Sequence, residues 1–88
     1  MAEKTFEIIE KLGIHARPAA QLVNKVGQYE AEITLQYKGK SVNLKSIMGI
    51  MSLGVPSGAE VTIVAEGNDA KEALEALEVL IKSEGIGQ

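Results

Sequence analysis

The feature that most constrains this chain is an apolar stripe near its end. Ala70, Ala73, Leu74, Leu77, Leu80 and Ile81 recur at the three-and-four spacing of a helix, while Lys71, Glu72, Glu75, Glu78 and Lys82 fall mostly on other faces. A helix from Ala70 to about Glu84 must bury that stripe, so it requires a partner layer. Asp69 with Glu72 three residues on reads as a capping box, and Gly85 as a stop.

The partner layer is legible upstream. Thr5-Phe6-Glu7-Ile8 alternates as a strand does. Ile33, Leu35 and Tyr37 alternate with Glu32, Thr34 and Gln36, and Lys38-Gly39 then turns the chain into a strand carrying Val42 and Leu44. Val61 to Ala65 reads as a further strand. Two more helices complete the set: one from Ala16, with Ala19, Ala20, Val23 and Val26 at helical spacing and Gly27 as its end, and a short one from Ser46 to Leu53. The expected fold is α+β, an open-faced sandwich of order βαββαβα. Three helices cover one face of a four-stranded antiparallel sheet.

The 88 residues suffice for one domain, taken as residues 1–88, with one modest core. There is no cysteine and only one histidine, so thiolate and zinc sites are not expected. No apolar run approaches the roughly 20 residues of a membrane span, and the first residues lack the apolar region of a signal peptide. A cytoplasmic protein without membrane insertion is expected. The net charge of −3 is uneven: residues 1–55 sum to +2 and residues 56–88 to −5. The acidic half is largely the solvated face of the last helix, and the mildly basic half suits an acidic partner. Overall acidity makes direct nucleic-acid binding a poor fit.

Without the last helix, the same order describes ferredoxin-like domains, which include RNA-binding and small-molecule regulatory modules. The only aromatic residues are Phe6, Tyr29 and Tyr37, and none lies in a base-stacking motif. A regulatory domain with a pocket built from loop glycines stays open as the alternative.

The single histidine, His15, lies in Gly13-Ile14-His15-Ala16-Arg17-Pro18-Ala19, where a strand gives way to a helix. A helix start offers unpaired N–H groups and positive potential, which favours the neutral imidazole and attracts phosphate. Arg17 adds a fork of donors. Pro18 fits a first helical turn, and Gly13 permits a turn closed to other residues. On position alone, an isolated histidine is more often an ordinary surface or core residue.

That segment, together with Val42-Asn43-Leu44-Lys45-Ser46-Ile47-Met48-Gly49-Ile50-Met51-Ser52-Leu53-Gly54, resembles the HPr family, phosphocarriers of the bacterial sugar phosphotransferase system. The resemblance spans the chain, and Ser46 points to the type found in low-G+C Gram-positive bacteria. It implies that His15 accepts a phosphoryl group on Nδ1 from phospho-enzyme I, charged by phosphoenolpyruvate, and passes it to sugar-specific IIA components. Arg17 would contact the phosphate. HPr kinase/phosphorylase would modify Ser46, engaging a catabolite-control transcription regulator. Such a protein needs no bound cofactor and is a carrier, not an autonomous enzyme, and a monomer is the simplest form. A serine-regulated relative without carrier activity is a further alternative, disfavoured because those relatives replace the histidine.

Ser46 is also the default N-cap of the short helix, and a phosphate there is compatible with that cap. The resemblance implies a docking patch formed chiefly by Met48 and Met51 with Ile47, bordered by Ala16, Ala20 and Leu53. Methionine suits a surface that repacks against several partners. Leu12 stands where the family often has a small polar residue, and Asn24 and Gly27 stand where some relatives carry lysine.

Overall fold

The structure, a computed structural model, describes residues 1–88. Seven elements follow in order: β1 (Ala2–Glu7), α1 (Ala16–Val26), β2 (Glu32–Tyr37), β3 (Lys40–Asn43), α2 (Ile47–Ser52), β4 (Glu60–Glu66) and α3 (Ala70–Ser83). The strands form one antiparallel sheet, ordered β1-β4-β2-β3. No helix is long and apolar enough to cross a membrane.

Alternation along the central strands sets the layers. In β4, Val61, Ile63 and Ala65 are buried while Glu60 and Glu66 are exposed, and in β2 Ile33 and Leu35 point the same way. Register places Ile63 opposite Leu35 on one side and Lys4 on the other. The buried face meets α3 through Ala70, Ala73, Leu74, Leu77 and Ile81, the core-facing part of the stripe read from sequence. Leu80 is only partly buried.

Several boundaries and faces differ from the sequence reading. β1 begins at Ala2 because pairing with Ala65 of β4 extends the ladder beyond the apolar residues. Leu44 lies beyond β3, although its N–H still reaches Ile33 O at 2.9 Å and its side chain is fully buried. In α1 the buried line is Pro18, Ala19, Leu22 and Val26; Ala20 and Val23 are flanking and half-buried. Leu22 has the larger side chain and lies three positions after Ala19, so it takes the inward position.

The capping box at α3 does not form. Asp69 makes no side-chain cap; Oδ1 accepts from Ala31 N at 2.8 Å and Oδ2 from Glu30 N at 2.9 Å. Its carboxylate thus ties the start of α3 to the entry of β2. At the other end Gly85 has φ +69°, Ile86 N donates to Ile81 O, and Gly85 N donates to Lys82 O. This is the Schellman pattern, with Ile81 and Ile86 both buried. Gln88 then exchanges backbone hydrogen bonds with Glu7, fastening the C-terminal residues beside β1.

Candidate functional site

The site is built at the crossing between β1 and α1. Gly13 adopts φ +71°, and a Cβ there would lie 2.1 Å from Val55 O. Only glycine allows this approach, and Ile14 N seals it by donating to Val55 O at 3.0 Å. Gly13 N also donates to Glu10 O at 2.9 Å, closing a turn over Glu10–Gly13. That turn folds Glu10 back over the start of α1.

His15 is the N-cap of α1, with extended backbone and no side-chain cap bond. Its carbonyl accepts from Ala19 N at 3.0 Å. Ala16 and Arg17, the first two residues of the helix, donate their N–H groups to no acceptor in the chain. No acidic residue occupies the first turn, and Pro18 has no N–H to offer. The helix start therefore keeps free donors and positive potential beside the imidazole. Leu12 is exposed and adds no polar group.

Three side chains meet there. Glu10 Oε1 lies 3.3 Å from His15 Nε2 and 3.6 Å from Arg17 Nη2. The Arg17 side chain is 63% exposed, and His15 is partly open to solvent at 29%. Nδ1 of His15 has no partner within the chain. Glu10 was missed in sequence because it precedes the motif by a turn. The available signal was an acid three residues before Gly13 and five before the only histidine.

Ser46 caps α2, its Oγ accepting from Gly49 N at 3.0 Å. The geometry is that of the expected N-cap. Within α2, Ile50 is fully buried, whereas Met48 is 80% exposed and Ile47 and Met51 are also exposed. Ala16 is exposed, Ala20 and Leu53 are half-buried, and α1 packs against α2. The three surface depressions lie elsewhere: at the β2–β3 turn, beside Asp69, and along residues 32–45. His15 lines none of them.

Fold and site define an open-faced sandwich domain whose one histidine caps a helix start suited to phosphate. Comparison with known proteins gives this class its family. The profile described as the PTS HPr component phosphorylation site matches residues 2–83. The histidine-containing phosphocarrier protein of Mycoplasma superposes with a TM-score of 0.96 at 37% identity, over 99% of each chain. HPr from Thermoanaerobacter tengcongensis gives 0.90 at 51% identity, over 94% of this chain and 93% of the other. Crh of Bacillus subtilis, a catabolite-repression protein solved as a swapped dimer, gives 0.75 at 43% identity, over 98% and 99%. The chain belongs to the HPr family and is a phosphocarrier of the phosphotransferase system.

Proposed function

We propose that His15 accepts a phosphoryl group from phospho-enzyme I and hands it to sugar-specific IIA components. The observation that carries this reading is the pairing of a partly exposed His15, its Nδ1 unengaged, with the free N–H groups of Ala16 and Arg17. A phosphoryl group on Nδ1 spreads charge over its oxygens, and those N–H groups with the Arg17 guanidinium are donors of the right kind. Labelling from phosphoenolpyruvate with enzyme I tests this. The phosphate should be acid-labile and alkali-stable, and His15→Ala should abolish it.

Docking is assigned to Met48, Met51 and Ile47, with Ala16, Ala20 and Leu53 at the border. Exposed thioethers on α2, which packs against the helix that His15 caps, support this reading. An open surface around His15 suits a protein partner better than a small ligand.

Ser46 is assigned as the target of HPr kinase/phosphorylase, with the phosphoserine form engaging a catabolite-control regulator. Its support is the family resemblance around Ser46 together with the similarity to Crh. Labelling from ATP at Ser46 in the presence of the kinase tests it. The working form is a cytoplasmic monomer; dimers are known among HPr and Crh structures, and sedimentation at rising concentration distinguishes the two.

A further inference from the structure

We infer that Glu10 is a positioning residue for phosphoryl transfer: its carboxylate holds the proton of His15 on Nε2, leaves the Nδ1 lone pair free, and stabilises the ring cation that transfer creates. The inference deepens the phosphocarrier reading and rests on it.

Glu10 Oε1 lies 3.3 Å from Nε2. An ionised carboxylate only accepts hydrogen bonds, so the shared proton belongs to Nε2. The bond made by one ring nitrogen sets which nitrogen carries the proton, and the neutral ring then keeps its lone pair on Nδ1. The Glu10–Gly13 turn brings the carboxylate beside Nε2, and the Glu10 side chain is only 18% exposed. The contact therefore lies in a partly desolvated setting where charge counts for more than in open water.

During acceptance, the Nδ1 lone pair forms a bond to phosphorus as the donor's bond to phosphorus breaks. The electron pair of the broken bond leaves with the donor. No proton moves, and the ring, substituted at Nδ1 and protonated at Nε2, becomes a cation. Glu10 faces the proton of that cation, as an orienting carboxylate does behind a histidine base. On onward transfer the bond pair returns to Nδ1 and the ring is again neutral. The negative charge of Glu10 also opposes the phosphoryl oxygens, and Arg17, 3.6 Å from the same carboxylate oxygen, offsets it while keeping most of its donors open.

The test uses the intact protein and the Glu10→Ala and Glu10→Gln variants. Nitrogen chemical shifts of the His15 ring are recorded under alkaline conditions where imidazole is neutral, and phosphoryl transfer from phospho-enzyme I is timed. The unaltered protein should show the Nε2-protonated tautomer, and Glu10→Ala a mixture of tautomers with transfer slowed on the order of tenfold, the lower end of the cost of removing a carboxylate that orients a metal-ligating histidine. Glu10→Gln retains an acceptor without charge, so it should keep the tautomer yet still transfer more slowly. Unchanged ring shifts and an unchanged rate in Glu10→Ala would overturn the inference. Failure of the unaltered protein to label at His15 would instead overturn the carrier reading, and the ring shifts would still report whether Glu10 sets the tautomer.

Discussion

Glu10 and His15 are joined across the turn that opens α1, with Oε1 3.3 Å from Nε2, and the same oxygen lies 3.6 Å from Arg17. The histidine is thus approached from its Nε2 side by an acid while its Nδ1 side has no partner in the chain. Under the proposed carrier role, the free N–H groups at the helix start and the Arg17 guanidinium would be the donors for an incoming phosphoryl group.

Replacing Arg17 with alanine should slow phosphoryl transfer by about 10²-fold, the usual cost of removing one donor aimed at developing charge. Arg17→Lys should recover only part, because an ammonium lacks the planar fork. Rapid-quench timing of transfer from phospho-enzyme I checks both. Circular dichroism should be unchanged, since the Arg17 side chain is 63% exposed.

Gly13→Ala should destabilise the fold by at least about 2 kcal/mol, through an unfavourable φ and a collision with Val55 O. Urea unfolding measures it. Gly39→Ala is the comparison: that glycine also has positive φ, yet a Cβ there meets nothing within 4 Å, so its cost should be smaller.

Residues of α2 should separate stability from docking. Ile50→Ala, at a fully buried position, should cost about 2–5 kcal/mol. Met48→Ala, 80% exposed, should leave stability within about 0.5 kcal/mol and weaken binding to enzyme I. Calorimetry for binding and urea titration for stability give the two numbers.

Ser46→Ala removes the acceptor for Gly49 N and should cost about 1 kcal/mol. Ser46→Asp should keep most of that stability and lower affinity for enzyme I. Two unit charges about 10 Å apart in water interact by only about 0.4 kcal/mol, so a negative charge at Ser46 is expected to act on docking. Unchanged affinity with much slower transfer would contradict that expectation.

Acid should expose two carboxylates. Hydrogen bonding from Lys4, then from Lys82, holds Glu78 down from 4.5 to about 2. Asp69 is lowered from 3.8 by the N–H of Glu30, with that of Ala31 adding to it. Both bind protons more readily when unfolded, so their contribution is complete above their ordinary values and is lost as pH falls from about 4.5 towards 2. The melting temperature should fall across that range. Lys4→Met should flatten the part due to Glu78, and salt should weaken it because the pair is exposed.

How much was legible in the sequence follows from what each residue depends on. The α3 stripe and the alternation in β2 and β4 are local patterns with one geometric solution, and they came through. The Lys38-Gly39 turn did also, both residues adopting positive φ. Asp69 was misread because a cap and a distant loop offer it the same kind of donor, and only tertiary structure brings Glu30 and Ala31 to it. Leu22 was overlooked beside the smaller apolar residues of α1. Glu10 escaped for a similar reason: its partner is reached through a turn fixed by Gly13 against Val55, which lies far along the chain. His15, Arg17 and Ser46 can be singled out as candidates because their motifs are contiguous.

The most direct test of the central claim is phosphate labelling from phosphoenolpyruvate and enzyme I, with mapping of the labelled residue. The account predicts one acid-labile phosphate on Nδ1 of His15, absent in His15→Ala and transferable to a IIA component. Stable folded protein that takes no label at His15, or takes it at another residue, would contradict it.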